Sequence, residues 1–131
     1  MAERIEERRA CERFIVPGAV INYKEEGLFF SGKYLEDAFP VSDISRGGVG
    51  FLSNAPLKID ADVTMKIIIP GEGAPLILKG RVRWISLNPG KSYKYQIGIQ
   101  FAAYGKHRGD NDHEILRRII ALEKQFLKGP D

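Results

Sequence analysis

The chain has 131 residues, which fits one domain and is long enough to bury a core without disulfides or a structural metal. Its 44% hydrophobic content, with seven Phe, five Tyr and one Trp, excludes a disordered tail, and a net charge of +3 permits an anionic partner without demanding one. Cys11, the single cysteine, excludes an intramolecular disulfide and a multi-cysteine metal site; no apolar run approaches the roughly 20 residues of a membrane helix, and the charged amino terminus is unlike a secretory signal, so a soluble cytoplasmic protein is expected.

Residues 3 to 13 form a dense charge run with only Ile5, Ala10 and Cys11 to bury. As a helix it would pair Arg8 with Glu12 and Glu6 with Arg9, but it would also set Arg9 and Arg13 four apart as like charges. A solvated, flexible arm over 1–13 is the expectation. The run holds four arginines and no lysine. Arginine offers a planar fork that grips phosphate at two points, donates to the guanine O6/N7 edge and stacks on bases, whereas lysine is a point charge. A salt-bridged surface explains the run equally well.

From Phe14 the pattern becomes that of strands, opening a single domain expected over 14–131. Phe14-Ile15-Val16 leads through Pro17-Gly18 to Ala19–Tyr23, read as one strand continued past a bulge. Leu28–Phe30 and Tyr34-Leu35 suggest a loop or short hairpin. A central pair follows, Phe39–Ser45 and Val49–Leu52, joined by the polar, glycine-rich turn Asp43-Ile44-Ser45-Arg46-Gly47-Gly48-Val49-Gly50. Asp43 and Ser45 project from one side of an extended backbone, and Gly47, Gly48 and Gly50 permit positive φ and close approach by a ligand. The plain alternative is a β-turn in which both side chains satisfy local backbone N–H groups.

Val63–Ile69 reads as a strand ending at Pro70-Gly71. Leu76–Ile85 alternates from Leu78 to Trp84, which places Lys79, Arg81 and Arg83 on one face unless a bulge intervenes. After a turn at Asn88–Lys91, Tyr93–Phe101 puts Tyr95, Ile97, Ile99 and Phe101 on one face. Asp110-Asn111-Asp112 then offers helix caps, with Asn111 and Glu114 at capping-box spacing. Ile115, Ile119, Leu122 and Phe126, with Leu116, Ile120 and Leu127, repeat at helical period over about 110–128. So wide a stripe must cover something: the barrel itself, or a second copy in a homodimer. Several strands at short spacing followed by one helix point to a mainly β fold, a small antiparallel barrel or curled sheet with a helical plug.

Arg9-Ala10-Cys11-Glu12-Arg13 and, about thirty residues later, Asp43-Ile44-Ser45-Arg46-Gly47-Gly48 resemble the two hallmarks of the PilZ domain, RxxxR and [D/N]xSxxG, without substitution and in the right order. Gly80–Ile85 and Ile97–Phe101 also look like strands of that family, and the resemblance runs from about Arg8 to the final helix. It implies a six-stranded antiparallel β-barrel that binds the bacterial second messenger cyclic di-GMP and acts without catalysis. It implies that Arg9 and Arg13 clamp phosphate and guanine from the arm, that Asp43 and Ser45 hydrogen-bond the ligand, and that Gly48 keeps the turn open to it. Arg8, directly ahead of the motif, accompanies binding of a stacked ligand pair in such domains. Arg46, Gly47 and Trp84 are further candidates, Trp84 as a guanine-stacking ring or else as core or barrel rim.

His107 and His113 lack partners at metal-ligand spacing, and no catalytic triad can be built around Cys11. Neither an enzyme, nor a metal, nor a cofactor beyond the nucleotide is expected. The leading reading is a sensor in which cyclic di-GMP orders the arginine arm and a protein partner reads the changed surface, in motility, exopolysaccharide or biofilm control. Two alternatives stand beside it: a single-stranded nucleic-acid binder, which is disfavoured, and a PilZ-like scaffold that binds protein only.

Overall fold

The computed structural model describes residues 12–26, 37–88 and 92–127. The hairpin expected within 28–35, the arm through Cys11 and the tip of the turn at Pro89–Lys91 lie outside them. Six strands, β1 (Val20–Glu25), β2 (Phe39–Ser45), β3 (Gly48–Ser53), β4 (Asp62–Ile68), β5 (Leu76–Leu87) and β6 (Tyr95–Phe101), are followed by one helix, α1 (His113–Phe126). The strands close in the order β1-β2-β3-β6-β5-β4, every neighbouring pair antiparallel. Each described strand thus has a neighbour on both sides, although β1 and β2 meet over only two pairs, Val20 with Pro40 and Ile21 with Phe39.

Alternation decides which side chains fill the barrel. Ile21 and Tyr23, Val49 and Phe51, Met65 and Ile67, Leu76, Leu78 and Val82, and Ile97 and Ile99 all point inward and are almost wholly buried. Tyr23 lies at the centre of an aromatic group, its ring 5.4 Å from that of Phe51 and 6.2 Å from that of Phe39. Its hydroxyl meets the Ser53 hydroxyl at 3.2 Å, which satisfies two buried polar groups at once. Burial pushes the Tyr23 phenol above its usual pKa, against a smaller lowering by the Ser53 hydrogen bond.

The helix is shorter than its sequence pattern and is capped by a different residue. Asp112, not Asn111, is the N-cap, its carboxylate accepting from the Glu114 N–H at 2.9 Å. Asn111 is drawn inward instead, only 4% exposed. Its side-chain oxygen accepts from the Lys79 N–H at 2.7 Å, and its amide donates to the carbonyls of Lys79 and Ala102 at 3.0 Å each. That staple joins β5 to the chain leaving β6 and so sets where the helix begins. Leu116, Ile119 and Leu122 then complete the barrel core, so the stripe finds its cover within the same chain. Arg118 fastens the helix to the β4–β5 loop through the carbonyls of Ala74 and Pro75 and the Glu72 carboxylate.

Candidate functional site

The segment before β1 does not continue that strand across a bulge. Phe14 instead forms a lone antiparallel bridge with Ile44 of β2, the two exchanging backbone hydrogen bonds of 2.8 and 2.9 Å. Both side chains are buried, at 2% and 0% exposure, which anchors this bridge in the core. Strand parity then turns Arg13 outward, on the same side as Asp43 and Ser45. The Arg13 guanidinium donates to Asp43 Oδ1 at 2.9 Å, with the Arg13 side chain 57% exposed and that of Asp43 31% exposed. The pair sets the second arginine of RxxxR against the first residue of DxSxxG. Arg8 and Arg9 lie outside the described residues.

The rest of the motif turn is held by local bonds. Ser45 is 6% exposed and its hydroxyl accepts from the Gly47 N–H at 3.2 Å, closing the two-residue connection Arg46-Gly47 between β2 and β3. Gly47, Gly48 and Gly50 do not adopt the positive φ that the sequence permits; among the described residues that conformation is taken by Gly18, Gly71, Gly109 and Asp60. The need for glycine at 48 and 50 is space. A Cβ on Gly48 would overlap the carbonyl oxygen of Ile99 across the β3–β6 seam, and one on Gly50 would sit 3.2 Å from Asp43 Oδ1.

These contacts arrange a row on the outer wall. Asp43 pairs with Gly50, Gly50 with Gly98, and Gly98 with Trp84, across β2, β3, β6 and β5. The Asp43 carboxylate leans over Gly50 and the Trp84 indole lies over Gly98, where no Cβ could be accommodated. A β-bulge between Val82 and Trp84 explains the position of the indole. Uninterrupted alternation would have sent Trp84 inward behind Leu78 and Val82; the extra residue instead turns both Arg83 and Trp84 outward, leaving the indole 41% exposed. The bulge thus keeps Lys79, Arg81 and Arg83 on one face and adds an aromatic ring to it.

The site therefore offers a carboxylate acceptor and a forked cation at one end, and an exposed indole at the other, over a floor without side chains. Such a surface suits a ligand with N–H donors, a planar ring and an anionic group. Gly47 and Gly48 form the narrow turn between β2 and β3.

Arg46 is committed elsewhere. Its guanidinium grips Glu123 of α1 at two points, 2.8 and 3.2 Å, and its carbonyl accepts from the Tyr104 hydroxyl at 2.7 Å. The motif turn is thereby wired to the helix, a link that reading the sequence missed. Its one signal was Glu123 itself, a carboxylate one turn beyond Ile119 on the buried stripe, with a side chain only 14% exposed. Among the described residues no group of three or more His, Cys, Asp or Glu could hold a metal, and no helix is long and apolar enough to cross a membrane.

The chain matches the PilZ domain family model over residues 7–121. No curated protein matches it in sequence. Among solved structures it resembles the Bacillus subtilis inhibitor of motility MotI/DgrA, at TM-score 0.65 and 15% identity, covering 95% of this chain and 54% of that one. It also resembles K. pneumonia MrkH in complex with c-di-GMP, at TM-score 0.61 and 23% identity, covering 91% and 53%. The chain thus spans about half the length of these structures, and the likeness is one of fold. With the barrel, both motifs and the family match in agreement, the chain belongs to the PilZ domain family.

Proposed function

We propose that this PilZ domain is a non-catalytic cytoplasmic receptor for cyclic di-GMP that passes the signal to a protein partner. The observation that carries the reading is the Arg13–Asp43 pair, which brings both family motifs together beside the glycine floor and Trp84. The likeness to MrkH, solved with c-di-GMP, agrees with it.

Binding exchanges one set of charge-assisted bonds for another. The pair is largely exposed, so breaking it costs about 1 kcal/mol or less. A phosphate takes the Arg13 fork, and Asp43 is freed to accept from the guanine N1–H and exocyclic amine. Arg9 closes on the ligand from the arm, Ser45 adds a hydroxyl, and Trp84 supplies a stacking face. Arg8 gives a third fork, with which two stacked nucleotides bind per chain. Ordering the arm costs conformational entropy that these contacts must exceed, which makes its position dependent on ligand. The output is control of motility, exopolysaccharide or biofilm.

The test is calorimetric titration with cyclic di-GMP, using GMP, GTP and a short oligonucleotide as controls, on the wild type, Arg9→Ala and Asp43→Ala. Selective binding lost in both variants supports the receptor. A wild type that ignores cyclic di-GMP overturns it, and one nucleotide per chain overturns the stacked pair.

A further inference from the structure

Beyond the seam where Gly48 pairs with Gln100, the outer wall of β4, β5 and β6 and the loop after β6 border an open groove of about 900 Å³. Five cations line it, Lys24, Lys79, Arg81, Arg83 and Arg108, against the carboxylates of Glu26 and Asp62. Its central line follows from the sequence: Lys79 and Arg81 alternate with the core residues Leu78 and Val82, so their outward side chains stand about 7 Å apart, and Arg83 follows at the bulge.

Arg81 is only lightly held: it meets Asp62 at 3.1 Å, the two side chains 54% and 61% exposed, so the pair can exchange partners at small cost. Arg83 is held at two points, donating to Gln100 Oε1 at 2.6 Å and meeting Asp60 at 3.3 Å. Lys79 and Arg108 have no carboxylate partner among the described residues.

The lining selects the kind of anion. Glu26 and Asp62 would repel a continuous phosphate backbone but can receive a lysine of a polypeptide. Among the described residues no exposed aromatic ring lines the groove, Phe101 being 6% exposed, so these residues offer nucleic-acid bases no stacking platform. An extended polypeptide with acidic side chains on alternate residues repeats at the spacing of Lys79 and Arg81. Ile77, 43% exposed at one end of the line, gives such a peptide an apolar anchor.

We propose that this groove docks an extended acidic segment of a partner protein. Along the groove β5 is paired on both sides, with β4 and with β6, so recognition there runs through side-chain tips and not through an added strand. The proposal names the surface by which the receptor meets its partner and rests on that reading for its biological role, but not for its binding chemistry.

The experiment is fluorescence anisotropy with a labelled 12-residue peptide of alternating glutamate and serine, with and without cyclic di-GMP, beside a single-stranded oligodeoxynucleotide of equal charge. Saturable peptide binding that weakens with salt is expected. Lys79→Glu/Arg108→Glu should weaken it at least tenfold and leave nucleotide binding unchanged. Lys58→Glu/Lys94→Glu, an equal charge change outside the groove, should weaken it less than threefold. Asp62→Asn, which releases Arg81, should tighten it severalfold. Equal losses in the two double variants, tighter binding of the oligonucleotide through the same residues, or no peptide binding at 50 mM salt would each overturn the proposal. Failure of cyclic di-GMP to bind, with the peptide results intact, would overturn the receptor reading alone.

Discussion

Gly48 belongs to the ligand motif, yet its missing side chain is demanded by the barrel, and Gly48→Ala separates the two roles. The new Cβ would overlap the Ile99 carbonyl oxygen where Gly48 pairs with Gln100. The obstacle is backbone, so relief requires the β3–β6 seam to part. Overpacking of this kind costs about 1–3 kcal/mol, and the absence of a rotatable neighbour puts the site in the upper half of that range. Replacing glycine within a strand returns about 0.5–1 kcal/mol. The net loss of about 1–2.5 kcal/mol, at roughly 4 °C per kcal/mol for a domain of this size, lowers Tm by about 4–10 °C. Urea unfolding should show the same loss as a lower midpoint at unchanged slope. Gly50→Ala is the control, because its Cβ meets only the Asp43 carboxylate, a side chain that can turn away. It should move Tm by no more than about 2 °C, while weakening cyclic di-GMP through the displaced acceptor. A Gly48→Ala protein that melts with the wild type, or a Gly50→Ala protein that loses more stability than it, would refute the reasoning.

Arg13→Ala should cost about 0–1 kcal/mol of stability, since its ion pair is largely exposed, yet weaken cyclic di-GMP at least tenfold by calorimetry. Asn111→Ala strands the backbone N–H of Lys79 and two carbonyls at a buried position, and should cost about 2–4 kcal/mol in urea unfolding. The raised pKa of Tyr23 keeps the folded chain protonated where the unfolded chain has begun to ionise, so the unfolded state binds fewer protons and stability falls as pH rises. The contribution is fully present below the unfolded value of about 10 and lost above it; subtracting the pH profile of Tyr23→Phe from that of the wild type should isolate this slope. Arg46→Ala frees α1 from the motif turn, and hydrogen exchange at the last turn of the helix should accelerate while β3 and β6 stay protected.

Strand positions were legible where alternation was clean. Ile97, Ile99 and Phe101 point inward as their spacing demands, and Phe39–Ser45 matches β2. The failures share one cause, that a backbone obeys distant partners as well as its own sequence. Alternation through Trp84 could not show the bulge, because the extra residue is set by pairing with β6. Asn111 carried a good capping side chain, but the backbone groups of Lys79 and Ala102 offered it three bonds and left the cap to Asp112. Positive φ was a sound reason for glycines in a tight turn, and crowding at the barrel seam was the actual one. Of the site, Arg13, Asp43 and Ser45 are found together. Gly98 and Glu123 escaped notice because each matters through a residue far along the chain, Trp84 and Arg46.

The closing pairs of the barrel join residues distant in sequence, Val20 to Ile68 and Gly48 to Gln100. Contacts of this kind make folding slow, in milliseconds to seconds, because loop-closure entropy is lost before pairing returns it. During synthesis β1, β2 and β3 emerge with half of the core exposed and cannot form a closed wall until β6 has left the ribosome, the interval in which the nascent chain most needs a chaperone. The Phe14–Ile44 bridge adds one more such contact, between residues thirty apart whose side chains both lie in the core.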